Sequence, residues 1–369
     1  MITVKHETGF CPDPYLISRG IDPDKAVFFD IETTGLKAEY SHLYLIGAAH
    51  RLSSGRWQIT QWLAEKPQEE AALLRTFNAY VLPFTTLIHF NGNRFDIPYL
   101  LEKENKYGLD PVIGQMASED LYLQLRPLRK MLRMAHMNQK SLEAFMGIRR
   151  RDPYDGGQLI GIYRSWIKEG GEERLEAVLL HNREDVEGML LVSGMYAYLP
   201  LADPSLFTPA PEWTGSLTDE QLVLRLALPH ALPAPLTLGS GKMSAVLSAK
   251  EREAVLSVRV LKGELRYFFP DWKEYYYLPL EDQAIHKSVA MSVSSSYREK
   301  ARPSTCYVRR EGRFLPQTEK MWEPAFKKTY EDSLFYFEAD PELAGDPVFA
   351  ASYARMMITA LSKQAQDPV

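Results

Sequence analysis

Apolar and polar positions along the first two hundred residues fall into runs with two different periods. Residues 26–31 (AVFFDI) are a short, nearly unbroken apolar run, as expected of a strand buried on both faces. Thr33-Thr34-Gly35 then breaks it. Residues 43–51 and 57–63 read as two further strands, so three strands follow one another as a meander. Residues 68–81 change to helical spacing, with Leu73, Leu74, Phe77 and Tyr80 on one face. Residues 87–90 (LIHF) read as another buried strand, NGNRFD as the turn after it, and Pro98 as the start of a helix running to about Lys106. Helical spacing continues over 120–135, 141–146, 156–168 and 175–198. Three strands, then alternating helix, strand and helices, predict an α/β domain with a mixed sheet flanked by helices. Residues 1–24, with Pro12, Pro14, Gly20 and Pro23, read as a lead-in arm.

Residues 199–215 contain four prolines and read as a break between domains. The expected organisation is an arm at 1–24, an α/β domain at 25–200, a Pro-rich linker at 201–215 and a second domain at 216–369. Beyond the linker the texture changes to short alternating runs: LVLRLAL, KMSAVLSA, AVLSVRVL, ELRYFF, YYYLPL and KSVAMSVS. Lys262-Gly263 between alternating runs predicts a hairpin, and residues 347–363 a last helix. The second domain is therefore expected to be smaller, β-rich and of the α+β class. Arg266–Phe269 and Trp272–Tyr277 mix basic and aromatic residues. They read either as good strand formers or as stacking faces for bases.

Composition narrows the class. The chain has 369 residues, 45% apolar and 25% charged, which fits an ordinary globular protein of about two domains. A net charge of −5 argues against a passive, basic nucleic-acid coat, but not against an enzyme that holds cations on carboxylates. The two cysteines, Cys11 and Cys306, make neither a disulfide framework nor a zinc site. No signal-like start and no run approaching ~18 apolar residues is present, so a cytoplasmic setting without a membrane partner is expected.

Three groups of residues carry chemistry. Asp30 and Glu32 are two apart on a strand and so share a face, an unfavourable pairing unless a cation is shared. Hard oxygen donors of this kind suit Mg²⁺ or Mn²⁺. Asp96 closes the NGNRFD turn, where it reads equally as a helix cap or as a ligand. His181 and Asp185 are four apart on a predicted helix and face the same way, as a surface ion pair also would. Arg126, Arg129, Lys130 and Arg133 fall at i, i+3, i+4 and i+7, a basic stripe that reads as a phosphate track or as a solvated face. Arg149–Arg151 add three charges in a loop. Thr33, Asn91 and Asn93 are further candidates for contact with substrate; a turn-forming role serves the two asparagines equally well.

Taken together, D-x-E, then N-G-x-x-F-D, then H-x-x-x-D, in this order, resemble the DEDD exonuclease superfamily. FFDIETTGL, LIHFNGNRFDIPYL, Asp120-Leu121, SLEAFMGIRR and LLHNREDVEGMLLV are similar to the YprB-type ribonuclease-H-like domain, over residues 25–200. The resemblance implies a ribonuclease-H-like fold and a 3′→5′ exonuclease acting on single-stranded 3′ ends of DNA or RNA. It implies two divalent ions held by Asp30, Glu32, Asp96 and Asp185, with His181 orienting or deprotonating the attacking water. Three residues separate His181 from Asp185, the spacing of the superfamily's tyrosine branch rather than its histidine branch. Asp120 then reads as structural. A catalytically silent nucleic-acid- or protein-binding module and a structure-specific endonuclease are the competing readings; any protein partner is unknown.

Overall fold

A computed structural model describes residues 1–204 and 213–364. The elements of the first part are β1 (Ile2–Thr8), α1 (Asp13–Ser18), β2 (Ala26–Thr33), β3 (Leu43–Arg51), β4 (Trp57–Leu63), α2 (Glu70–Val81), β5 (Thr86–His89), α3 (Asp96–Lys106), β6 (Ala117–Asp120), α4 (Leu121–Leu125), α5 (Leu128–Met131), α6 (Gln139–Phe145), α7 (Gly156–Glu169), α8 (Glu172–Val192) and α9 (Leu199–Ala202). The chain divides into two compact units. The first holds residues 1–129, 134–198 and 232–234; the second holds 130–133, 199–231 and 235 onward.

The first unit is built on one six-stranded sheet in the order β1-β4-β3-β2-β5-β6. Its first four strands are antiparallel, and β2-β5 and β5-β6 are parallel, so the sheet is mixed, as the ribonuclease-H-like reading expects. Alternation along β2 sends Val27, Phe29 and Ile31 to one face, where they pack with Leu73, Leu74 and Phe77 of α2 and with Leu100 of α3. Phe28, Asp30 and Glu32 point to the opposite face, which α7 and α8 cover through Leu159, Tyr163 and Val178. The two acids therefore lie between a central strand and a helix.

Helix α8 comes down onto the sheet at Gly47. A Cβ there would lie 2.1 Å from Asn182 Oδ1 and 2.9 Å from Val186 Cγ2, so only glycine admits the helix at this depth. The start of β3 is tied to α2 and α3 by a fully buried ion pair. Lys103 Nζ lies 2.8 Å from Glu70 Oε1 and also donates to the Ser41 carbonyl, while Glu70 accepts from the Leu43 N–H.

Several elements differ from the expectation. The arm contains β1, whose alternately half-buried and exposed residues pair with β4 at the sheet edge; the turn formers after it masked the ITVKHET pattern. The helix expected at 120–135 is a strand end and two short helices. Pro127 has no N–H to continue α4, and Arg133 adopts a left-handed conformation with φ 54°. Helix α3 begins two residues before Pro98, whose missing N–H falls in a first turn that needs no partner. The expected linker begins with α9, and its residues 205–212 lie outside the described residues.

The second unit continues with β7 (Trp213–Leu217), β8 (Gln221–Ala227), β9 (Leu236–Ser240), β10 (Ala245–Lys250), β11 (Glu253–Arg259), β12 (Leu261–Phe268), β13 (Tyr275–Leu278), β14 (Gln283–His286), α10 (Lys287–Ala290), β15 (Glu299–Lys300), β16 (Tyr307–Gln317), β17 (Phe335–Glu338) and α11 (Pro347–Gln364). It is β-rich, with antiparallel sheets ordered β7-β8-β11-β10-β9, β12-β16-β17 and β14-β13-β15. Lys262-Gly263 is not a hairpin turn. Both residues lie inside β12, with Gly263 opposite Gly312 of β16. KSVAMSVS opens as helix α10 rather than a strand, because the His286 side chain accepts from the Ser288 N–H and caps it. Among the described residues no helix is long and apolar enough to cross a membrane.

Candidate metal centre

The site is assembled from three elements of the first unit. Strand β2 supplies Asp30, half-buried, and Glu32, buried; the first residue of α3 supplies Asp96, buried; and α8 supplies His181 and Asp185. His181 Nε2 lies 3.3 Å from Asp185 Oδ2 and 3.7 Å from Glu32 Oε1. Glu32, His181 and Asp185 offer ligand atoms that all lie within 4.8 Å of one another. Asp30 and Asp96 join them electrostatically. The burial of Asp30 raises its carboxyl well above the ordinary range, and the charges of Asp185, Glu32 and Asp96 raise it further. Burial raises Glu32 likewise, followed by Asp185, Asp96 and Asp152. Asp96 is pushed up to about 7, by burial first, against backbone hydrogen bonds at Asp96 and Ile31. The polypeptide thus holds several carboxylates where their charge is costly.

Other side chains fix these groups in place, and the sequence reading did not mark most of them. Asn182 Nδ2 donates to Asp30 Oδ2 at 2.9 Å, and Gln61 Nε2 donates to Asn182 Oδ1 at 2.9 Å and to the Leu179 carbonyl. The available signal was a polar residue in the otherwise apolar row of Val178, Val186 and Met189. Asp152 Oδ2 lies 2.6 Å from His181 Nδ1. A carboxylate at that distance places the proton on Nδ1 and leaves Nε2 facing Glu32 and Asp185. No local pattern marks Asp152, which is brought in by the loop before α7.

Arg150, of the three charges at Arg149–Arg151, is neither solvated nor free for phosphate. Its side chain is only 10% exposed. It forks onto Glu143 at 2.5 and 2.7 Å, and its Nη1 lies 2.5 Å from Asp185 Oδ1. Gln139 Nε2 joins the same cluster, donating to Glu143 Oε1 and to the Asp185 carbonyl. Gly188 on α8 makes room for it, since a Cβ there would lie 2.0 Å from Glu143 Oε1.

The NGNRFD loop is a scaffold. Asn91 sits at φ 62°, the left-handed region that asparagine tolerates, and its N–H donates to Asp120 Oδ1. Asp120 also accepts from the Tyr122 N–H and so caps α4. Burial lowers the His89 imidazole to about 4, so it is neutral. Its Nδ1 accepts from the Gly92 N–H, which places the ring proton on Nε2, 2.8 Å from Ser118 Oγ. Ser118 in turn donates to Asn93 Oδ1, so the Asn93 carbonyl oxygen is already engaged. Thr33 Oγ1 donates to the Gly35 carbonyl.

The expected basic stripe does not form. Arg126 and Arg129 lie on the first unit beside a cavity, whereas Lys130 and Arg133 belong to the second unit. The break at Pro127 removes the single helix face that the spacing required.

Residues 27–195 match the family described as the RNase_H superfamily. The chain is 30% identical over 194 residues to the uncharacterized protein YprB of Bacillus subtilis (strain 168). That alignment covers 52% of this chain and 46% of YprB, less than half of its length. Among solved structures, the chain is similar to a family B DNA polymerase from the archaeon Pyrobaculum calidifontis, with TM-score 0.36 and 12% identity over 94% of this chain and 46% of that one. It is also similar to the zinc-bound complex of E. coli ExoI with ssDNA, with TM-score 0.33 and 12% identity over 92% of this chain and 71% of that one. The mixed sheet, its covering helices and these sequence matches identify residues 27–195 as a ribonuclease-H-superfamily domain of the YprB type.

Proposed function

We propose that this domain is a metal-dependent 3′→5′ exonuclease that releases 5′-mononucleotides from single-stranded or fraying ends of DNA or RNA. The observation that carries the reading is the convergence of Glu32, His181 and Asp185 on one point, with Asp30 and Asp96 in electrostatic contact. The donor set fits a hard divalent cation: carboxylate oxygens, largely buried, whose charges Arg150 compensates only on the Oδ1 side of Asp185. Asp30, Glu32, Asp96 and Asp185 are the residues that would hold the metal. Two bound Mg²⁺ or Mn²⁺ ions would lower the pKa of a water and neutralise charge at the phosphodiester.

The chain's own groups do the rest. Asp152 fixes the His181 ring with Nδ1 protonated, so Nε2 accepts the proton of the attacking water. Asn182, held by Gln61, keeps the Asp30 carboxylate from turning away. Arg150 holds Asp185 through Oδ1 and so leaves Oδ2 directed toward His181. A second reading follows from the position of His181 Nε2 inside the ligand group, which suits a metal ligand. Titration calorimetry of His181→Ala separates the two: a base leaves metal affinity intact while turnover falls, and a ligand loses both. Circular and linear single strands of one sequence test the exonuclease reading itself. Hydrolysis of the linear strand alone is expected, and equal hydrolysis of the circle would make the protein an endonuclease.

A further inference from the structure

A cavity of about 550 Å³ opens in the first unit beside the acid cluster. Two aromatic rings, Phe90 and Tyr122, line it together with Arg94, Arg126, Arg129 and His136, and no acidic residue does. In a chain of net charge −5 this is a marked local excess of positive charge. Arg129 is used up structurally, donating to the carbonyls of Met134 and Ala135 and fixing one wall. Arg94, Arg126 and His136 are exposed, and their side chains have no hydrogen-bond or ion-pair partner among the described residues. The two rings meet edge to face, 6.0 Å apart at 64°, so neither is stacked on the other. Gln139 also lines the cavity and donates to the Asp185 carbonyl, which ties the cavity to the acid cluster.

We propose that this cavity binds nucleotides of a single strand, with a base stacked on Tyr122 or Phe90 and its phosphates on Arg126 and Arg94. The inference rests on the exonuclease reading for its placement beside the reacting phosphate, but binding can be measured without cleavage. Aromatic faces accept any base, and unpaired guanidinium groups attract phosphate whatever the sequence. In a duplex the base faces are already stacked on their neighbours, so the cavity selects unpaired strands.

The test uses the full chain carrying Asp30→Asn, in chelator, with a fluorescent single-stranded oligonucleotide titrated by anisotropy at several salt concentrations. Tyr122→Ala should weaken binding about fivefold or more, and Tyr122→Phe should restore it to within about twofold. Arg126→Ala should lower the salt slope by about 0.7, the loss of one single-strand phosphate contact. Tyr122 is half-buried and Arg126 exposed, and thermal melts check that each variant folds. Unchanged affinity and salt slope in Tyr122→Ala and Arg126→Ala would overturn the inference. So would equal affinity for blunt duplex, or Tyr122-dependent binding of free nucleoside monophosphate without binding of the strand. Wild-type protein that cleaves a strand, while these variants bind and cleave it equally well, refutes the cavity and spares the exonuclease. Tyr122-dependent strand binding by a protein that cleaves nothing does the reverse.

Discussion

Replacing Asp96 by Asn removes a charge that the metal-free fold holds at a cost while keeping the shape of the side chain. Asp96 is 8% exposed, and its carboxyl is pushed from the ordinary 3.8 to about 7. That difference is worth about 4 kcal/mol between the two protonation states. Between pH 4 and 7 the folded protein keeps a proton here that the unfolded chain has released. Stability is therefore fully present below pH 4 and falls as pH rises through about 7. Asp96→Asn does not pay this cost, so its advantage should be about 0.5 kcal/mol at pH 4, about 1.7 kcal/mol at pH 5 and about 4 kcal/mol at pH 8. Urea unfolding of both proteins in chelator at those three pH values measures it. Divalent metal at a hundred times its Kd should return about 2.7 kcal/mol to the wild type at pH 8. An Asp96→Asn protein that is less stable than wild type at pH 8, or a difference independent of pH, would refute the reasoning.

Other perturbations probe the groups around the acids. Asp152→Asn leaves His181 without its carboxylate and should cut kcat about 10- to 100-fold, with little change in KM; equal loss in both would point to misfolding instead. Arg150→Gln strands the Glu143 carboxylate, whose side chain is 2% exposed, and should destabilise the protein by about 3–5 kcal/mol in urea unfolding. A loss below about 1 kcal/mol would mean that Gln139 suffices for Glu143. Gly47→Ala places a methyl 2.1 Å from Asn182 Oδ1, and should cost about 1–3 kcal/mol and lower activity as the Asn182–Asp30 bond is displaced. Full activity in that variant would show that Asn182 does not position Asp30.

Much of the first unit was legible because its strands are strongly periodic. The run AVFFDI, the two strands after it and the amphipathic helix that became α2 all lie where their patterns place them. Four of the five chemical residues were legible because their spacing on regular elements fixes their direction: two apart on β2, four apart on α8. Asp96 had no such spacing, and only the resemblance singled it out. What failed was irregular. A single proline at 127 divided a helix that charge spacing alone had drawn as continuous, and with it the basic stripe. Asp152, Arg150 and Gln61 were not legible as parts of the centre, because each arrives through tertiary contact: His181–Asp152 spans 29 positions, Arg150–Asp185 35 and Gln61–Asn182 121. In the second unit short alternating runs fixed the strand class but not the pairing, as the Lys262-Gly263 hairpin that became mid-strand demonstrates.

The most direct test of the account is to give the purified protein single strands of DNA and RNA labelled at either the 3′ or the 5′ end, with Mg²⁺, with Mn²⁺ and with chelator. An Asp30→Asn control runs beside it. The account expects metal-dependent release of 5′-mononucleotides starting from the 3′ end, abolished by chelator and by Asp30→Asn. Metal bound at the cluster with no cleavage of any strand would contradict it, and would make the domain a binding module rather than a nuclease.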